Sequence, residues 1–440
     1  MNNRNRLFII HFFSICLTVL FFGGTRIDSF AQVAQSNQSS VYISSNFENA
    51  SPVFWEYNPD GTVLVHLLPD HERHTPNRAS NHVYFQVQGK AGSDVTLAIQ
   101  YFDEVWNGRV VESSSLLENY LISQDGVNWT TVPAEIFEKG HKITVHLNSS
   151  SLYVAGVEPY RISDLENLLD EIRSHPSVGI EPVGKTVEGR PLEIIRIGNP
   201  AAPFRVFIRA RAHPWEAGGN WVVQGMIKNL LDEKKYLDRY CVYIMPMANK
   251  DGVARGLTRF NCQGIDLNRG MNLPADPVLA PENHALETWL KQMIDKGMKP
   301  NVSLDLHNDR NGKLSFGHPS SLNNPEYNTG KVSSMFAENY LIQDKNADVA
   351  QYESNTKKFE SLMYIHTWYT WTQNGVRRDA TNTENYPVRR YKVDIAGILE
   401  LNQNRIAGLN KTPSGSDWEL MGRQICDVFY HYFDEYESNN

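Results

Sequence analysis

Strict alternation of apolar and polar residues marks the chain soon after its N-terminal segment. "HVYFQVQG" (82–89), "DVTLAIQYF" (94–102) and "HKITVHLN" (141–148) each switch character residue by residue, as half-buried strands do. The turn-forming runs "KAGSD", "QDGVN" and "FEKG" separate them. Residues from about 41 to 157 are therefore expected to form an antiparallel β-sandwich. The period then changes. In "EPYRISDLENLLDEIRSHP", Ile162, Leu165, Leu168, Leu169 and Ile172 recur at helical spacing, with Ser163 or the Ser-Asp pair placed to cap the start. Beyond it, "LEIIRIG", "FRVFIRA", "YCVYIMPM", "NVSLDLH" and "KVDIAGILEL" read as strands. "WVVQGMIKNLLD", "ENHALETWLKQMIDKG" and "SDWELMGRQICDVFYHYFDEY" read as helices. That alternation predicts an α/β fold: a mixed, mostly parallel sheet with helices on both faces.

The first residues follow a different rule. Arg4 and Arg6 precede an apolar run from Leu7 to Phe22, and Ser29-Phe30-Ala31 precede Gln32. This is the pattern of a secretory signal, short for a stable span and carrying His11 and Ser14, with an uncleaved membrane anchor as the alternative reading. The expected organisation is a signal peptide over 1–31, a β-sandwich over 32–157 and an α/β domain over 158–440. The mature protein is expected to be exported, periplasmic or secreted, with no membrane segment. Three cysteines would remain, Cys241, Cys262 and Cys426, allowing one disulfide at most. A formal net charge of −8 without a basic tract argues against nucleic acid as a partner. His71 and His74, in "PDHERHTPNR", are read as part of a solvated loop, with metal binding as the sharper alternative.

In a sheet of this kind, ligands gather outside the carboxyl ends of the strands. "FRVFIRA" leads to His213 and Glu216. "YCVYIMPM" leads to "ANKDG" and "GIDLNRG". "SLDLH" ends in His307 and "ILELN" carries Glu400. Four distant segments thus deliver polar groups to one edge. Two histidines and a glutamate suit a catalytic zinc ion, which lowers the pKa of bound water and polarises a carbonyl. No H-E-x-x-H helix, P-loop or G-x-S-x-G elbow is present.

Taken together, "HPWE", "ANKDG…TRFNCQGIDLNRG", "SLDLH" and "ILELN" resemble the motif series of the M14 zinc metallocarboxypeptidases. The spacing of Arg259 to "DLNR" and the β-region in front resemble the cytosolic carboxypeptidase subfamily. The resemblance implies one zinc ion held by His213, Glu216 and His307. It implies Glu400 as general base and acid, Arg259 as the group that stabilises the oxyanion, and Asp266 as the carboxylate that orients the first histidine. It further implies that Asn268 and Arg269 clamp the free C-terminal carboxylate of a peptide substrate. Tyr386 is the nearest match to the family's substrate-covering tyrosine, at an imperfect spacing.

Two stretches depart from the subfamily. Asn308 and Asp309 follow the third ligand and would narrow or charge the pocket. Arg377, Arg378, Arg389, Arg390 and Lys392 would favour an acidic C-terminal residue by Coulomb attraction, unless they form only a solvated basic loop. An exported enzyme would act on environmental or cell-wall peptides. Two other readings stay open: an aspartoacylase-like N-acyl-amino-acid deacylase, and an inactive protein that binds peptide or glycan.

Overall fold

The computed structural model describes residues 40–106, 108–111, 117–269, 274–309, 371–373, 376–378, 395–404 and 411–438. The expected signal segment and Tyr386 lie outside them, as do Arg389, Arg390 and Lys392.

The alternating N-terminal segments resolve into two five-stranded sheets. One orders β1 (Tyr42–Ser44), β6 (Tyr84–Gln88), β14 (Ser151–Ala155), β10 (Asn119–Ser123) and β11 (Thr130–Pro133). The other orders β12 (Glu135–Phe137), β13 (Gly140–Leu147), β7 (Ser93–Gln100), β3 (Val63–Leu67) and β2 (Val53–Tyr57). The alternating inward residues of both sheets, among them Val65, Phe85, Leu97, Ile143 and Val154, share one apolar core. Pairing is antiparallel except between β3 and β7, which run parallel. A third, small sheet joins β4 (Asp70–His71), β5 (Arg78–Ala79), β8 (Glu104–Trp106) and β9 (Arg109–Val111). The stretch expected as a plain loop therefore contributes two short strands, paired to a distant hairpin that periodicity alone does not reveal.

Helix α1 (Ile162–Ile172) buries Leu165, Leu168, Leu169 and Ile172, as its spacing requires. Its start is not capped by Ser163. The Asp164 carboxylate instead accepts from the Arg161 backbone N–H (2.7 Å), and the Ser163 hydroxyl donates to Glu48 (2.8 Å). The larger sheet orders β15 (Val178–Lys185), β16 (Pro191–Ile197), β18 (Tyr240–Met245), β17 (Phe204–Ala210), β19 (Val302–Asp309) and β22 (Ile395–Asn402). The strands β18, β17, β19 and β22 are mutually parallel, and β16 runs against them. A short pair, β20 (Trp371–Gln373) and β21 (Val376–Arg378), stands apart from that sheet.

Both sheet faces are covered. On one, α1, α2 (Gly218–Asp232) and α6 (Gly415–Ser438) pack on Val206, Ile208 and Leu304. On the other, α5 (Pro281–Asp295) packs Leu286, Trp289 and Met293 against Phe207 and Tyr243. Two short helices, α3 (Lys234–Arg239) and α4 (Lys250–Ala254), flank β18. Cys241, Cys262 and Cys426 are all free, so the disulfide option is not taken up among them. No helix of the described residues is long and apolar enough to cross a membrane.

Candidate metal centre

From β17 the chain passes through α2 to β18 on one side, while β19 lies on the other. The connections diverge there, and the rule for such sheets places a ligand site at the carboxyl end of β17. Arg211 begins the turn into it with φ 63°, a left-handed backbone that a bulky residue adopts only where its surroundings fix it. Its buried guanidinium donates from Nε to the Pro214 carbonyl (2.6 Å) and from Nη1 to Asn220 Oδ1 (3.0 Å). The turn is thereby tied to α2, and His213 and Glu216 are held between. Burial pushes the Arg211 guanidinium down to about 9.

Three side chains converge from two strand ends. His213 Nδ1 lies 2.7 Å from Glu216 Oε1, His307 Nδ1 lies 2.7 Å from Glu216 Oε2, and the two Nδ1 atoms are 3.2 Å apart. All three residues are buried. Two nitrogens bound to one tetrahedral zinc ion at 2.0–2.1 Å would stand about 3.3 Å apart. Facing imidazole nitrogens at that separation, with a carboxylate between, fit a divalent cation. Each ring also presents its far nitrogen to a carboxylate: His213 Nε2 to Asp266 Oδ1 and His307 Nε2 to Asp305 Oδ2, both at 3.2 Å. The hydrogen bond from His213 Nε2 to Asp266 favours the tautomer that leaves Nδ1 for a metal, while Asp305 faces His307 as a nearby charge.

The charges support one another. Burial raises the Glu216 carboxyl, but the two imidazoles outweigh it and hold it down at about 2. Burial likewise opposes ionisation of Asp266 and Asp305. Arg259, Arg269 and His213 nevertheless hold Asp266 well below the usual carboxylate range, and Arg209 and His307 do the same for Asp305. Burial lowers the His307 imidazole, yet Asp305 and Glu216 together hold it well above its ordinary value.

The remaining residues take these places. Arg259 donates from Nε to Asp266 Oδ2 (2.7 Å), so one carboxylate holds both Arg259 and His213. Asn268 is buried, and its Oδ1 accepts from Arg209 Nη2 (3.2 Å), so only its NH₂ can serve a substrate carboxylate. Arg269 follows directly, half-buried, its Nη1 donating to the Asn268 carbonyl (2.9 Å). Glu400 is half-buried on β22, in register with His307 on the adjacent parallel strand. Paired positions share a sheet face, so Glu400 projects on the side of His307.

Asn308 corrects an expectation. Successive strand residues point to opposite faces, so Asn308 turns away from the metal side. Its Oδ1 accepts from the Gly218 N–H (3.0 Å) and its Nδ2 donates to the Leu401 carbonyl (3.3 Å). It therefore pins the start of α2 and does not narrow the pocket. Asp305 and Arg209 form a buried ion pair that sequence reading missed. The available signal was the i, i+2 spacing of Asp305 and His307, which puts both on one face. Among the described residues one further cluster has ligand-type groups, Glu188, Asp251 and Cys262. Arg190 bonds to both of its carboxylates and Arg255 pairs with Glu188, while burial pushes the Cys262 thiol up to about 12. That cluster is already neutralised. His71 and His74 belong to neither group.

A candidate metal centre on an α/β sheet is what this edge defines: buried nitrogen and oxygen donors at parallel strand ends, each imidazole facing a carboxylate. The family follows from the sequence match. The zinc carboxypeptidase model, Peptidase M14, matches residues 165–395, just over half of the 440 residues, and the chain belongs to that family. The matched span contains His213, Glu216, Arg259, Asp266, Asn268, Arg269 and His307, and stops short of Glu400. Human cytosolic carboxypeptidase 6 is 32% identical over 163 residues, 34% of this chain and 32% of that protein. The chain spans less than half the length of the curated relatives it matches. The metallo-carboxypeptidase from Burkholderia cenocepacia shares the fold, with TM-score 0.69 at 20% identity, over 90% of this chain and 100% of that one. So does the metallo-carboxypeptidase from Pseudomonas aeruginosa, solved in complex with (2-guanidinoethylmercapto)succinic acid, with TM-score 0.66 at 20% identity over 90% and 99%.

Proposed function

We propose that the protein is an exported zinc carboxypeptidase that removes C-terminal amino acids from peptides. The observation that carries this reading is the convergence of His213, Glu216 and His307 with a carboxylate behind each imidazole. One zinc ion, held by these three residues, would lower the pKa of water towards neutrality and polarise the scissile carbonyl. Glu400 takes the proton from the attacking water and passes it to the leaving amine. Arg259 meets the developing oxyanion, a contribution of about 3–4 kcal/mol by analogy with other oxyanion donors. Arg269 and the Asn268 amide hold the terminal carboxylate, which the guanidinium fork suits, and so set the bond to be cut. The dicarboxylic ligand of the P. aeruginosa relative is consistent with a carboxylate-binding pocket. Export rests on the N-terminal pattern of Arg4, Arg6, the run Leu7–Phe22 and Ser29-Phe30-Ala31.

The test is digestion of a peptide library, with mass spectrometry of the released amino acids before and after chelation. Stepwise shortening from the C-terminus that stops on chelation is expected. Hydrolysis of N-acyl amino acids with peptides left intact would reject the reading in favour of a deacylase. Comparing peptides ending in Glu, Lys and Phe addresses the basic segment 377–392. Preference for Glu is expected; equal rates, or preference for Lys or Phe, reject it.

A further inference from the structure

Arg259 is held from behind by the N-terminal β-region. The Asp70 carboxylate accepts three successive backbone N–H groups: Thr258 to Oδ1 (3.1 Å), then Arg259 and Phe260 to Oδ2 (both 2.8 Å). The Trp106 ring lies 4.7 Å from the Arg259 guanidinium carbon, within cation–π range. The same side grips the loop at both ends. Gly256 (φ 64°) is so close that a Cβ there would lie 1.9 Å from the Ala50 carbonyl oxygen. Gly264 (φ 74°) accepts from the Arg73 backbone N–H at 2.7 Å.

These contacts restrain different freedoms. Asp70 fixes the backbone from which the side chain springs. Trp106 packs over the guanidinium, and Asp266 holds it through Nε. A long, rotamer-rich side chain is thereby ordered before any substrate arrives, and preorganisation of this kind makes an oxyanion donor effective. We propose that Asp70 and Trp106 are positioning residues for Arg259, so that the N-terminal β-region completes the active site of the α/β region. The inference rests on Arg259 acting as the oxyanion donor under the proposed function.

The test is a pair of double-mutant cycles in the full-length, zinc-loaded protein. Asp70→Asn keeps the shape but offers one acceptor oxygen in place of two. Its kcat should fall about 10–100-fold, the scale of a misplaced catalytic group, with KM within about threefold and zinc content unchanged. Trp106→Leu should lower kcat by less, about 3–10-fold, since one weak contact is lost. In an Arg259→Ala background both changes should cost less than about twofold, because the group they position is gone. Full, undiminished losses in that background, or unchanged kcat in both single variants, would overturn the proposal. If Asp70→Asn does not fold, the Trp106→Leu cycle decides. Hydrogen exchange supplies a readout independent of turnover: the amides of 258–260 should lose protection in Asp70→Asn. If the wild type shortens no peptide, the proposed function fails by itself, and unchanged protection of those amides would then overturn the clamp as well.

Discussion

The interior of the N-terminal sandwich and the strand-end edge of the α/β sheet are both shielded from water, yet they are filled differently. Between the sandwich sheets lie Val65, Leu97, Ile99, Val145 and Val154. A short polar chain crosses them, with Tyr101 Oη 2.7 Å from Tyr120 Oη, which in turn lies 2.9 Å from His141 Nδ1. At the strand-end edge Arg209, Arg211, His213, Glu216, Asp266, Asp305 and His307 are buried side by side. The first arrangement gains about 25 cal/mol for each Å² of apolar surface removed from water. The second costs desolvation of every charge and is offset only while each has its partner. One interior is apolar packing crossed by a short polar chain, and the other is a set of charges that compensate one another.

Four experiments test that contrast, in order of expected effect. Glu400→Gln should lower kcat by about 10²–10⁴-fold, the range for general acid–base catalysis. The protein should keep its metal by atomic absorption and its melting temperature, since Glu400 is not among the three residues proposed to hold the ion. A Leu97→Ala change in the sandwich core should do the reverse. It should cost about 2–5 kcal/mol in denaturant unfolding while the folded fraction keeps its kcat. Asp305→Asn, which takes the carboxylate from behind His307, should weaken zinc binding about 10–100-fold in a competition assay with a chelator. The weakest effect is on pH. Asp266 and Asp305 have depressed folded pKa values, so their stabilisation is complete above the unfolded value of 3.8 and is lost as pH falls through the folded values. The melting temperature of metal-free protein should therefore drop below about pH 4, less steeply in Asp305→Asn.

Much of this was legible in the sequence because it depends on local period. The buried face of α1 and strands β16, β17, β18, β19 and β22 follow from spacing alone. The convergence of His213, Glu216 and His307 follows from the rule that polar residues at parallel strand ends share an edge. What escaped depends on partners far along the chain. Asp70 lies 188 positions or more from the amides it binds, inside a stretch that reads as loop. Arg209 reads as one more polar residue of a strand until its register with Asp305 is known. The left-handed backbone of Arg211 defies the preference of its residue type, and only its tertiary bonds explain it. Asn308 was misplaced for a simpler reason, because being next to His307 in sequence means facing away from it on a strand.

That last feature makes β19 intolerant of miscounting. Its final residues serve two masters in alternation, an imidazole that reaches Glu216 and an amide that holds the foot of the neighbouring helix. One inserted residue upstream of Leu306, with the sheet pairing retained, would swap their sides and forfeit both tasks together. Lengthening a loop leaves such parity untouched, so variation in length belongs between the strands of this edge and not within them.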